Sequence, residues 1–296
     1  MSKKVVINDI FEEIDERLIT QGVPIKFRYM EAVGEVSAYF GNVPIPLSPK
    51  SPLPDNEMGN QLCVWLHDWY DAKYGKLQSF NSDLGFFYQK IRGDLWHYRV
   101  PNFVGTCNFF IDKNLTVCGA HNETNIMRMS SNMTQAYVNS LTDAELISLM
   151  ASFSSALESF EILSGWRIAK IPLCQAIEAD LKTITVQLQT NTMNYGQARW
   201  AYSQCAEKIL KAWLLKAGVS EKRLKDKYGH SIHKLVNVFN KHYNEQLSSD
   251  KFDAIICSPS ARYDEDDFSS EDIIEAQNWL FETIKTIGFS PKLATI

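Results

Sequence analysis

The stretch that decides the fold of the C-terminal half reads Gln197-Ala198-Arg199-Trp200-Ala201-Tyr202-Ser203-Gln204-Cys205-Ala206-Glu207-Lys208-Ile209-Leu210-Lys211-Ala212-Trp213-Leu214. Ala198, Ala201, Cys205 and Ala212 recur at helical spacing, a small-residue stripe that lets a neighbouring helix approach closely. Glu207 and Lys211 stand at i and i+4, a pair that supports a helix. The pattern predicts a helix from Tyr195 to Ala217, closed by Gly218 just past its end.

Helices continue on both sides of it. Thr142 and Glu145 have the spacing of a capping box, and apolar residues then run at helical spacing to Leu163. Pro172 opens a further helix to Gln189. Another is expected from His230 to Tyr243, with Ile232, Leu235, Val236 and Phe239 on one face. The last spans Ser270 to Ile287, behind Ser269 and Asp272 in a second capping pattern. Residues 166–296 therefore read as an all-α bundle, with residues 141–165 as a connecting helix.

Residues 1–140 read differently, as an α+β domain whose role the sequence does not give. Ile10, Phe11, Ile14 and Leu18 mark a short amphipathic helix. Ile25 to Tyr29 and Val36 to Phe40 alternate as strands do. Five of the ten prolines lie between Pro44 and Pro54, where they demand an extended loop. A helix from Asn56 to Tyr74 follows. Phe86–Ile91 and Leu95–Val100 flank Arg92-Gly93-Asp94 as a hairpin. Cys107–Ile111 and Leu115–Cys118 form a second candidate strand pair around Asp112-Lys113-Asn114. The whole chain is expected to be mainly α.

The 296 residues are 45 % hydrophobic, ample for a core. No uninterrupted apolar run approaches ~18 residues, so no membrane span and no membrane partner are expected. Met1 to Asp9 lacks the apolar segment of a secretion signal, and the six cysteines are expected as free thiols in the cytoplasm. A net charge of −5 excludes a chain that is basic throughout. Charge is nonetheless segregated. Residues 208–241 carry nine basic residues against two acids, whereas residues 245–282 carry eleven acids against two bases. Two readings stay open: a surface that attracts phosphates, or a basic segment facing an acidic one inside the bundle.

The Ala-rich helix with Glu207-Lys208-Ile209-Leu210-Lys211 is followed by Gly229-His230-Ser231-Ile232-His233-Lys234-Leu235. Ser258-Pro259-Ser260-Ala261-Arg262-Tyr263 then precedes the last helix. In order and spacing these three pieces resemble the HEPN superfamily over residues 166–290. The resemblance implies a four- to five-helix bundle, frequently a homodimer through its C-terminal helices. It implies an RNA- or nucleotide-binding protein, and in many members a metal-independent endoribonuclease of bacterial defence or toxin–antitoxin systems. No cofactor and no metal are implied.

Nuclease members carry an Arg, four to six residues, then a His. Arg223 and His230 fit with six residues between them, at the start of a late helix. Arg92 and His97 fit as well, across the hairpin, while no histidine follows Arg262 before the last helix. The resemblance thus assigns His230 as general acid or base and Arg223 or Arg262 to the phosphorane charge, because attack by a 2′-hydroxyl needs proton transfer and charge stabilisation. Lys208, Lys211, Arg262 and Tyr263 are expected around the phosphate or nucleotide. The alternative is a non-catalytic dimerisation, scaffold or small-molecule-binding module. Exposure discriminates: buried, bonded His230 and Arg262 favour a scaffold, whereas an open cleft shared with Lys208 or Arg223 favours a phosphate site.

His230 and His233 lack further ligands for a zinc site, and Asp264-Glu265-Asp266-Asp267 reads as a solvated loop. Thirteen aromatic residues between Trp65 and Phe110 read as core.

Overall fold

A computed structural model describes residues 7–50, 52–78, 83–103, 105–119, 122–130, 132–190, 192–247, 252–263 and 267–290. The first six residues and Asp264–Asp266 of the acidic loop lie outside the described residues. The protein is mainly helical and divides into two compact units, residues 1–82 and 83–296. The expected division near residue 140 is therefore a correction: the strands assigned to an N-terminal α+β domain belong to the second unit.

The first unit packs three helices, α1 (Ile7–Thr20), α2 (Ile25–Tyr39) and α3 (Glu57–Tyr74). Ile10, Phe11, Ile14 and Leu18 of α1 are buried, as their spacing requires. The two strands read from Ile25–Tyr29 and Val36–Phe40 are instead one helix. Pro24 sets its start, and Ala32, Val33 and Val36 turn inward at helical spacing. A five-residue alternation does not outweigh burial at i, i+1 and i+4 within a fifteen-residue helix. Asn56 caps α3 by accepting from the Gly59 N–H. Asp15, fully buried, is satisfied by the Tyr70 hydroxyl at 3.1 Å, the Tyr74 hydroxyl at 2.5 Å and Lys73 Nζ at 3.0 Å. Paired this way, the carboxylate fastens α1 to α3 without an uncompensated charge.

The second unit begins with the antiparallel hairpin β1 (Gly85–Ile91) and β2 (Asp94–Val100), in the register Phe87 opposite Tyr98. Arg92 and Gly93 both adopt positive φ, 53° and 96°, the geometry of a two-residue hairpin turn. The second expected hairpin does not form. β3 (Asn108–Phe110) pairs in parallel with β4 (Glu123–Asn125). Asn125, almost fully buried, explains the difference. Its amide nitrogen donates to the carbonyls of Asp112 at 2.9 Å and Val117 at 3.3 Å, and its oxygen accepts from the Asp112 N–H. The 112–117 loop thus spends its backbone groups on a side chain and not on a strand ladder.

After the short α4 (Gln135–Ser140) come α5 (Asp143–Ile168), α6 (Cys174–Leu188) and α7 (Tyr195–Lys216). A single helical turn, α8 (Glu221–Arg223), runs on as a π turn over Leu224–Tyr228. α9 (Ile232–Tyr243) and α10 (Ser270–Gly288) complete the unit. Both capping boxes form, Thr142 with Glu145 on α5 and Ser269 with Asp272 on α10. α5 is long and apolar enough, by length and composition, to cross a membrane; its Leu149, Phe153, Ala156 and Phe160 are buried in the core. α7 is the hub, packed against α6, α9 and α10. The hairpin lies on α5 and α10, and Phe87 meets Phe153 of α5 edge-on at 6.1 Å. That shared core is why residues 83–140 cannot be a separate domain.

Candidate functional site

Fourteen of the 22 residues of α7 are buried. Of the eight that are not, Tyr195 and Lys216 stand at the two ends, and Gln197, Trp200, Gln204, Lys208, Lys211 and Leu215 form a stripe between them. At about 100° per residue these six fall within an arc of about 80°, one narrow line on the helix surface. The functional groups read from the sequence gather at its two ends.

At the C-terminal end, Glu207 sits beside the stripe with its side chain only 6 % exposed. Lys211 donates to its Oε1 at 2.6 Å, one helical turn on. His230 Nδ1 lies 3.0 Å from both Glu207 oxygens, yet the imidazole is 82 % exposed. The backbone explains this placement. Gly229, at φ 56°, closes the π turn by donating to Leu224 O, and Ser231 caps α9 through the Lys234 N–H. Between these two fixed points His230 projects back onto α7. α9 itself is locked to α7 by the Tyr243 hydroxyl, which donates to Trp213 O at 2.6 Å. His233 packs against the Phe252 ring at 4.2 Å. Next along the stripe Lys208 donates to Asp180 of α6 at 2.5 Å. Burial raises the Asp180 pKa, and the Lys208 ammonium opposes that shift.

At the N-terminal end, the turn Pro259–Tyr263 rests on the first turns of α7. The approach is close: a Cβ on Gly196 would lie 2.3 Å from Ala261 O. Gln197 donates to Arg262 O at 2.7 Å. The Arg262 guanidinium lies over the Trp200 ring at 4.9 Å and the Tyr263 ring at 5.4 Å. Arg262 is exposed and Tyr263 is 68 % exposed. Underneath, the buried Arg199 holds the preceding segment by donating to Asp253 O at 2.6 Å, and burial lowers its pKa. Its Nε and Nη1 have no hydrogen-bond partner among the described residues.

The residues expected around one phosphate therefore form two groups. Lys208, Lys211 and His230 stand at one end of the stripe, Arg262 and Tyr263 at the other. Arg223 is exposed on α8, and its guanidinium makes no hydrogen bond to His230 among the described residues. Of the basic residues in 208–241, none pairs with an acid of 245–282 among the described residues; Lys222, Arg223, Lys225, Lys227, Lys234 and Lys241 are all exposed. The competing Arg92–His97 spacing makes no pair. Arg92 is spent on Glu145, at 2.7 and 2.9 Å, and on Ser140. His97 is half-buried, which lowers its pKa.

Sequence reasoning recognised Glu207 as a helix-stabilising partner of Lys211 and missed it as the partner of His230. It also left Trp200 without a role. A buried glutamate one turn from a lysine, with a histidine at the head of the next helix, was the available signal for the first. Comparison with known proteins adds nothing further: no family model, curated protein or solved structure matches this chain.

Proposed function

We propose that the helices around α7 form a HEPN-like bundle that binds RNA and cleaves it without a metal, with His230 as the catalytic base. The observation that carries this reading is His230 Nδ1 held on the buried Glu207 carboxylate while the rest of the ring stands in solvent. A carboxylate accepting from Nδ1–H leaves Nε2 with its lone pair, the tautomer a general base needs. Nε2 takes the proton of a ribose 2′-hydroxyl. The 2′-oxygen attacks the adjacent phosphorus, the bond to the 5′-oxygen breaks, and that oxygen takes a proton from the imidazolium. The products are a 2′,3′-cyclic phosphate and a 5′-hydroxyl. Arg223 and its exposed basic neighbours supply the positive field for phosphate. A cytoplasmic homodimer through the C-terminal helices, in a bacterial defence or toxin–antitoxin setting, belongs to the same reading.

One observation favours a second reading. Glu207 takes both Lys211 and His230, so the cluster also fastens the turn before α9 onto α7. In a non-catalytic scaffold that would be its whole purpose. Incubation of the wild type and a His230→Ala variant with total and transfer RNA in EDTA separates the two. Cleavage by the wild type alone, leaving cyclic-phosphate ends, supports the nuclease. Intact RNA with both proteins supports the scaffold.

A further inference from the structure

The geometry points to a second binding element on the same stripe: Trp200, Arg262 and Tyr263 form a platform that stacks a nucleobase, and the ligand is a single-stranded RNA segment lying along α7 from this platform to His230. The inference rests on the RNA reading above and adds the strand form and a subsite.

The platform is built, not incidental. Arg262 is held from below by its carbonyl, which accepts from Gln197, and by the Ala261–Gly196 contact. Its guanidinium keeps one weak hydrogen bond, from Nε to Pro259 O at 3.4 Å, and no carboxylate partner among the described residues. It lies over two aromatic rings, and the Tyr263 ring stands largely in solvent. A guanidinium plane backed by the half-buried Trp200 ring and flanked by the exposed Tyr263 ring is a surface on which an unstacked base settles, whatever its identity.

The span selects the strand form. Trp200 and Lys211 lie on one arc of α7, and at 1.5 Å per residue they are about 16 Å apart along the axis. That is longer than a mononucleotide and suits a short strand. A duplex keeps its base faces inside the stack and cannot offer one to the platform. Charge orients the strand as well. The backbone runs toward Lys208, Lys211 and the basic residues of 222–227, and the platform end takes a base.

The test is fluorescence anisotropy of the full chain with a labelled ten-nucleotide oligouridylate and with a fully paired, loop-free RNA duplex as control. Arg262→Ala and Tyr263→Ala alter exposed side chains, and circular dichroism checks that each variant folds. Each is expected to weaken oligouridylate binding about tenfold, the usual cost of a lost base stack. Duplex binding is expected to change less than twofold. If both platform variants bind the oligonucleotide like the wild type while Lys211→Ala weakens it, the platform is wrong and the RNA reading stands. If the wild type binds no oligonucleotide at all, both fall together.

Discussion

Gln277 of α10 pairs with the backbone of Tyr88 as a neighbouring strand would. The Tyr88 N–H donates to Gln277 Oε1 at 2.7 Å, and Gln277 Nε2 donates to Tyr88 O at 2.9 Å. The side chain is 2 % exposed, so water cannot replace it. Replacing Gln277 by Ala leaves a buried N–H and a buried C=O unpaired, each worth roughly 1–3 kcal/mol. Gln277→Ala is therefore expected to lower the unfolding free energy by about 2–4 kcal/mol, read from the urea midpoint at an unchanged slope. A loss under about 0.5 kcal/mol would mean the hairpin does not depend on α10.

Arg92 and Glu145 set a second dependence, this time on pH. The Arg92 guanidinium, with help from the Thr142 N–H, holds the Glu145 carboxyl down at about 2. A carboxylate whose folded pKa is depressed contributes stability above its unfolded value, and that contribution fades as pH falls toward the folded one. The wild type is expected to melt above Glu145→Gln at pH 7. The gap should narrow from about pH 4.5 downward and close near pH 2. Thermal melts of both proteins across that range check it; a gap independent of pH would assign the effect to something other than this pair.

The parts legible in the sequence are those decided by neighbours along the chain. The capping boxes at Thr142 and Ser269, the α7 helix and the Arg92-Gly93 turn each depend on residues within a few positions. What stayed hidden depends on distant partners. α2 became a helix because Ala32, Val33 and Val36 meet α1 and α3. The strand pair at Cys107 failed because Asn125 captures the 112–117 loop. The division falls between residues 82 and 83 because Phe87 and Tyr88 are buried against α5 and α10. At the site, His230 and Lys211 were legible as residue types, but Glu207 lies 23 positions before His230 and no local pattern joins them. Arg262 and Tyr263 looked adjacent to the lysines until the axis of α7 set the two groups apart.

Glu207 tests how His230 is held. In the proposed cleavage Glu207 is a positioning residue that touches no substrate, so on that proposal Glu207→Gln should leave the KM for RNA within about twofold and lower kcat by roughly 10²- to 10⁴-fold, as loss of an orienting carboxylate does. A structural role alone would not alter the imidazole tautomer. The ¹⁵N chemical shifts of His230 are therefore the deciding measurement: the wild type is expected to carry its neutral-form proton on Nδ1, and the variant to show a mixture of tautomers. Wild-type shifts in the variant would remove Glu207 from the mechanism.

The exposed basic residues before α9 make the last expectation, about salt. Each cation that neutralises a phosphate of a single strand adds about 0.7 to the steepness of log Kobs against log salt, because condensed counterions are released. Lys222, Arg223, Lys225 and Lys227 are all exposed, and none makes an ion pair with a described residue. Changing all four to Gln should cost little stability, since exposed positions away from caps and networks tolerate substitution. It should flatten the salt dependence of oligouridylate binding by about 3 in slope if all four contact phosphate. Binding measured between 50 and 300 mM salt, on the order of the range where such contacts dominate, gives the number directly. An unchanged slope would move the phosphate path off this segment and leave Lys208 and Lys211 as its carriers.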